Sequence, residues 1–441
     1  MQPILALNAF DMDQATALGG TLEARLLQRQ KLFGAASVLF YERPLEFVRG
    51  EGCWLYDTEG VAYLDAYNNV PSVGHCHPQV VEAAARQLGQ LNIHNRYLHP
   101  GILAYAERLL ATLPTALSNV TFTCTGSESN DLALRLARHF TGAEGIIVTE
   151  TAYHGNTALA TEASPSSFKQ GGPPPHVRVI PAPGGHSGGE KGLAEYFAEQ
   201  VAGAIADLER LGMRAGALLI DSIFSSDGIY ADPPGFLSQA IDVVHRAKGL
   251  FIADEVQPGF GRSGTCWWGF QRHGVQPDIV TMGKPMGNGF PMGAVVTRPE
   301  ILAAFCDQVG YFNTYGGSPV AAAVGLAVLD VIEQEDLMDN ALRVGDYLKQ
   351  RLVELSKRHE VIGDVRGAGL FIGVELIQQR NRTPAPQLAK SIINGLRDRQ
   401  VLIGAAGRFG SVLKIRPPLC ISVAQADQLV AALDDALSAA H

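Results

Sequence analysis

Apolar positions along this chain fall into short runs separated by longer stretches of helical period. Residues 120–124 read as a buried strand, and residues 127–140 as a helix closed by Gly142. Further apolar runs over 146–149, 217–220, 250–253 and 278–281 read as strands, with helical stretches between several of them. This alternation predicts an α/β fold whose mostly parallel sheet is covered by helices on both faces. Ligands of such sheets bind outside the carboxyl ends of the strands. Ahead of this region, residues 13–33 predict an amphipathic helix with Leu22, Leu26 and Leu27 on one side. Residues 47–50 and 54–56 predict short strands, with a turn over 57–60. The stretch 164–192 is rich in Pro, Gly and Ser and reads as a long surface loop. A helix over 319–333 leads into a final part, 336–441, of two or three helices and short strands. No repeat of solenoid length is visible.

Composition narrows the classes. The 441 residues are 46% hydrophobic and 18% charged, enough to bury a large core. Lys plus Arg number 35 against 44 for Asp plus Glu, a net charge of −9. That balance excludes a broad footprint on a nucleic-acid backbone but leaves room for a local basic pocket. Six cysteines without C-x-x-C spacing give neither a disulfide framework nor a cysteine-rich zinc site, and fit a reducing cytoplasm. The opening residues 1–7 lack the basic start of an export signal. The longest aliphatic stretch, 320–329, falls well short of the roughly 18 residues of a membrane span. The expectation is a cytoplasmic protein with no membrane and no nucleic-acid partner.

Three motifs point to chemistry. In Thr125-Gly126-Ser127-Glu128, Thr and Glu have capping-box spacing, and Gly126 admits a ligand to an anion-binding helix start, with Ser127 as a further donor. In Ile252-Ala253-Asp254-Glu255-Val256-Gln257 an apolar strand runs directly into carboxylates, where a ligand of the sheet should lie. In Met282-Gly283-Lys284-Pro285 a lysine follows a buried run without charged neighbours, a setting that lowers its pKa and suits covalent catalysis. Two tempting patterns fail. Gly259-Phe260-Gly261-Arg262-Ser263-Gly264 matches a dinucleotide fingerprint, but Pro258 intervenes and no helix opens at Gly264. His75, His77, His94 and His99 offer no third metal ligand at defined spacing, so no metal site is expected.

Together with Tyr153-His154-Gly155 and Asn313-Thr314-Tyr315-Gly316-Gly317, these motifs in this order resemble the class III aminotransferases. These are pyridoxal 5'-phosphate (PLP) enzymes of fold type I, and the likeness covers nearly the whole length. It implies a large PLP-binding domain over 71–318 and a smaller α+β domain built from 1–70 and 319–441. It also implies that Lys284 holds PLP covalently, that Asp254 pairs with the pyridinium nitrogen, and that Val256 packs on the ring. Gln257 would bond the phenolic oxygen and Tyr153 stack on the other face. Gly126 and Ser127 would hold the phosphate, with Thr314 from the neighbouring subunit of a homodimer that shares its active sites.

Tyr67-Asn68-Asn69, Asn95-Arg96-Tyr97 and Lys414-Ile415-Arg416-Pro417-Pro418 resemble the ethanolamine-phosphate phospho-lyase branch of that family. Members that bind an α-carboxylate carry Arg where this chain has Lys414, and the family usually has Glu where this chain has Asp221. Arg grips a planar carboxylate through two bonds, whereas Lys is a point charge that also suits phosphate. The resulting expectation is a phospho-lyase acting on O-phosphoethanolamine; an ω-aminotransferase is the alternative, and the intact Lys284 and Asp254 argue against a non-enzymatic PLP-binding homologue. Arg96, Lys414 and Arg416 are the candidates for the substrate's anionic end, with only one of the last two expected to face the site.

Overall fold

The computed structural model describes residues 6–36, 38–185 and 192–440. Residues 1–5, on which the export-signal reading partly rests, and 186–191 of the Pro/Gly-rich stretch lie outside the described residues.

Near the N-terminus the expected single helix is two, Ala15–Leu18 and Gly20–Phe33. Gly19 and Gly20 both take positive φ, 62° and 61°, which ends one helix and starts the next. Strands β1 (Phe47–Glu51), β2 (Trp54–Asp57) and β3 (Ala62–Asp65) form an antiparallel meander. The central sheet holds β4 (Asn119–Thr123), β5 (Gly145–Thr149), β6 (Val177–Ile180), β7 (Ala215–Ile220), β8 (Leu250–Asp254), β9 (Ile279–Met282) and β10 (Gly293–Thr297). Their spatial order is β4-β10-β9-β8-β7-β5-β6.

Two strands of the central sheet were not expected. The pairing of β10 is antiparallel to both neighbours, so it alone runs against an otherwise parallel sheet. The other, β6, falls within the stretch expected to be all loop; it is a half-exposed edge strand, which needs only a short alternating sequence.

Alternate residues of the inner strands feed two separate cores. Leu218, Ile220, Phe251, Ala253 and Val280 pack into one, and Ala217, Leu219, Leu250, Ile252 and Ile279 into the other, against Leu132, Leu134 and Leu136 of the helix Gly126–Thr141. Burial on both faces explains why these strands read as unbroken apolar runs.

The C-terminal part contributes β11 (Ile362–Ala368), β12 (Phe371–Leu376), β13 (Val401–Leu402), β14 (Gly404–Ala406) and β15 (Val412–Ile415). The pairing of β13 with β3 is parallel and brings the two ends of the chain into one sheet. A third sheet of order β11-β12-β15-β14 presents the end of β15 to the carboxyl ends of the central strands. Among the described residues no helix is long and apolar enough to cross a membrane.

Two glycines test how tightly the C-terminal layer is packed. A Cβ on Gly345, in the helix Leu337–Ser356, would come within 2.3 Å of the Gly369 carbonyl. One on Gly395, inside the helix Pro386–Asp398, would make only ordinary contacts at 3.6 Å. Gly345→Ala is expected to lower the free energy of unfolding by about 1–3 kcal/mol. Gly395→Ala is expected to raise it by about 0.5–1 kcal/mol. Denaturant melts of both variants check the pair, and a stable Gly345→Ala protein would contradict the packing.

Candidate active site

The site forms where β4, β7, β8 and β9 end. Beyond β4, Thr125 caps the helix Gly126–Thr141 by accepting from Glu128 N–H at 3.1 Å. Only this half of the expected capping box forms. The Glu128 carboxylate accepts instead from Cys124 N–H (2.8 Å) and Asn313 Nδ2 (3.1 Å), which braces the helix start to the 313–316 loop. Gly126 has no space for a side chain, since a Cβ there would lie 2.8 Å from Val256. The unbonded N–H groups of this helix start therefore face the cavity, a cradle for a phosphate.

Asp254 ends β8 and is 5% exposed. One of its oxygens accepts from Asn130 Nδ2 (2.9 Å) and pairs with His154 Nδ1 (2.7 Å); the other accepts from Val256 N–H (3.0 Å). Three partners fix the carboxylate and leave acceptor capacity for one more donor from the cavity. Asn130 is itself held by Thr281 Oγ1 at 2.6 Å. Lys284 follows β9 with φ of +26°, an uncommon value for a residue with a side chain. Such backbone strain concentrates at functional sites.

Two adjoining cavities, of about 310 Å³ and 160 Å³, meet at Tyr153, Gln257 and Lys284. Gly126, Ser127, Asp254 and Val256 line the larger one, and Tyr67, Ser226, Lys414 and Arg416 the smaller. Burial, reinforced by the charge of Arg416, pushes the Lys284 amine down to about 8.

Both Lys414 and Arg416 face the smaller cavity, at 4% and 7% exposure. The expectation that only one would do so is corrected: positions two apart on a strand share a face, and here Lys414 lies in β15 with Arg416 just beyond its end. Arg416 donates through Nε to Tyr67 O (2.7 Å) and through Nη1 to Gln257 Oε1, with its guanidinium over the Tyr67 ring. Gln257 is thus engaged by Arg416 while still lining both cavities. Lys414 makes no ion pair among the described residues, and its Nζ sits 5.5 Å from the centre of the Phe371 ring. Burial and the neighbouring Arg416 hold this amine well below the ordinary lysine range. Burial and the charge of Asp254 raise the Asp221 carboxyl, which accepts from Ser225 and Ile223.

Arg96 and Thr314 are not in this group. Arg96 is exposed and lies over the Phe312 ring, 3.9 Å from its centre, outside both cavities of its own chain. Thr314 is likewise exposed and outside them. Nor do the histidines gather: His75 pairs with Asp65 and His77 with Glu335. Among the described residues no cluster of His, Cys, Asp and Glu could hold a metal ion.

The family model for aminotransferase class-III matches residues 40–437. The chain belongs to the class III aminotransferases. As a member of this family it is a PLP enzyme of fold type I. A Drosophila melanogaster relative named alanine–glyoxylate aminotransferase 2-like is 42% identical over 425 residues, covering 93% of this chain and 86% of the relative. An Arthrobacter phospholyase solved in complex with phosphoethanolamine superposes with a TM-score of 0.90 at 43% identity, over 94% of this chain and 99% of that one. A PLP-bound amine transaminase from an uncultivated Pseudomonas species gives 0.82 at 29% identity, over 91% and 96%.

The residues fit the cofactor. A phosphate cradle, a strand-end carboxylate with spare acceptor capacity and a desolvated lysine line one cavity, and Val256 and Tyr153 supply its side walls. Sequence reasoning passed over Asn130, Tyr67 and Ser226 as site residues. Asn130 carried a usable signal: it is a polar residue on the apolar stripe of its helix, four and seven positions before Leu134 and Ala137.

Three outcomes follow from this geometry. Lys284→Ala should abolish both turnover and the borohydride-reducible link to PLP; a link retained in that variant would refute the assignment. Asp254→Asn should keep PLP bound yet lose about 3 kcal/mol of transition-state stabilisation in kcat/KM, and a wild-type rate would count against its role. Covalent capture of PLP by apoenzyme needs the neutral amine, so its rate should rise with pH and level off above about 8. A stopped-flow series with a midpoint near that of free lysine, about 10.4, would contradict the desolvation.

Proposed function

We propose that this enzyme is a phospho-lyase that converts O-phosphoethanolamine and water into acetaldehyde, ammonia and phosphate. The observation that carries this reading is the pair Lys414 and Arg416, two buried basic side chains that line the smaller cavity, which adjoins the larger one at Lys284. A planar α-carboxylate is best met by a bidentate Arg; here the guanidinium is already engaged by Tyr67 and Gln257. Two cations in a small cavity suit a compact dianion better. The likeness to a phospholyase that holds phosphoethanolamine supports the same reading.

When bound, PLP supplies the electron sink that stabilises negative charge on the carbon bearing nitrogen. With the cofactor bound, Asp254 would hold a proton on the ring nitrogen, and the Lys284 amine would take the proton from that carbon. Lys414 and Arg416 hold the phosphate and offset the charge that grows on its bridging oxygen as the carbon–oxygen bond breaks. The Phe40 and Tyr67 side chains narrow the cavity and limit water. We also infer a homodimer with shared sites: Tyr315 and Leu98 are 76% and 95% exposed, and Thr314 projects from a loop braced to the phosphate cradle.

The aminotransferase name of the Drosophila relative favours a second reading, an ω-aminotransferase using the same Lys284 and Asp254. Incubation with O-phosphoethanolamine, with and without pyruvate, separates the two. The lyase releases phosphate and acetaldehyde in equal amounts without pyruvate and forms no alanine. Pyruvate-dependent alanine with the phosphate ester intact would establish the transaminase. On the lyase reading, Lys414→Met should raise KM for O-phosphoethanolamine about tenfold or more while sparing a simple amine. An equal effect on both substrates would remove the phosphate pocket.

A further inference from the structure

Two cysteines 367 positions apart in sequence meet in the fold. Cys53 is buried in the turn between β1 and β2, and its Sγ lies 3.6 Å from Sγ of half-buried Cys420, just past β15. Backbone bonds hold both. Cys53 O accepts from Asp65 N–H at 2.8 Å, and Leu419 N–H donates to Ser72 O at 2.7 Å. Asn340 Nδ2 spans the other flank, donating to Leu419 O (2.7 Å) and Ile421 O (2.9 Å).

A third group acts on the pair through its charge. Arg262 is 2% exposed and donates only to the Leu370 and Pro417 carbonyls; its Nη2 has no hydrogen-bond partner, and no ion pair reaches it among the described residues. A buried guanidinium without an anion is costly, and a thiolate beside it would supply one. The thiols and this cation feel each other's charge. The hydrogen bond between the two thiols holds Cys420 below its ordinary value and Cys53 above, so Cys420 is the more readily ionised partner. Cys420 also lines an open cavity of about 950 Å³ with Asp339, Asn340 and Ser422, which gives small solutes access.

We propose that Cys53 and Cys420 form an oxidative modification site, where a hydroperoxide converts the thiol pair into an intrachain disulfide. The Cys420 thiolate attacks one oxygen of hydrogen peroxide, breaks the O–O bond and becomes a sulfenic acid, releasing hydroxide. Cys53 loses its proton to that hydroxide, attacks the sulfenic sulfur and expels a second hydroxide as the S–S bond forms. With the proton of the original Cys420 thiol counted, two thiols and one peroxide give one disulfide and two waters. The sulfurs must close from 3.6 Å to about 2.05 Å. The new bond joins the strand pair ahead of Tyr67 to the segment that carries Arg416, and cellular thiols can reverse it, as befits a transient disulfide in a reducing compartment. The site stands independently of which reaction the enzyme catalyses.

Stepwise oxidation of the full-chain holoenzyme with hydrogen peroxide, followed by alkylation and peptide mapping without reductant, tests it. A cross-linked Cys53–Cys420 peptide, lighter by two hydrogens and lost on adding dithiothreitol, should appear while the exposed Cys76 and Cys306 remain largely alkylatable. In Cys53→Ala the intermediate has no resolving thiol, so dimedone should label Cys420. Consumption of Cys76 and Cys306 with Cys53 and Cys420 still alkylated overturns the proposal, as does a Cys53→Ala protein that dimedone leaves unlabelled at Cys420.

Discussion

Keeping three cations in one buried region is the constraint on which the site depends. Lys284, Lys414 and Arg416 share two adjoining cavities, where burial and the charge of Arg416 weaken both lysine charges, with partly buried Asp221 and buried Asp254 beside them. Uncompensated charge in such a place costs several kcal/mol. The protein lowers that cost in two ways. Arg416 is tied to a carbonyl, an amide and an aromatic ring, and the two lysine amines are brought toward their neutral forms. What remains suits an anion joined to an amine, the occupant that the proposed function requires.

The fold supplies that arrangement through strand ends. Parallel strands aim successive carboxyl ends at one crevice, so the acid of β8, the lysine after β9 and the helix start after β4 converge without long loops. The two cations opposite come from elsewhere in the chain. Pairing of β13 with β3, and of β15 with β12 and β14, carries Lys414 and Arg416 back over the crevice and sets Arg416 against Tyr67.

The cofactor side of the site was legible because its signals are local: a glycine at a helix start, a carboxylate ending an apolar run, a lysine without charged neighbours. The substrate side was less so. That Tyr67 lies beneath Arg416 depends on a pairing between opposite ends of the chain, which no local period encodes. In the fold, β7, β8 and β9 were plain because both faces are buried. Hidden among Pro and Gly, β6 was missed as a short edge strand, and the antiparallel β10 was missed with it. The break at Gly19 escaped because the leucine spacing continues across it. The error about Lys414 and Arg416 lay in the periodicity argument itself, since strand alternation puts them on the same side.

Calorimetry with sulfate, a dianion that does not titrate near neutrality, tests the anion pocket most directly. Holoenzyme and its Lys414→Met variant would be titrated at neutral pH in two buffers of different ionisation heat. Burial and Arg416 hold the Lys414 amine well below the ordinary lysine range, and an arriving anion favours its protonated form, so sulfate should bind the wild-type enzyme with net proton uptake. The variant should bind more weakly and without that uptake. Equal affinity in both proteins, with no proton exchange in either, would contradict the account.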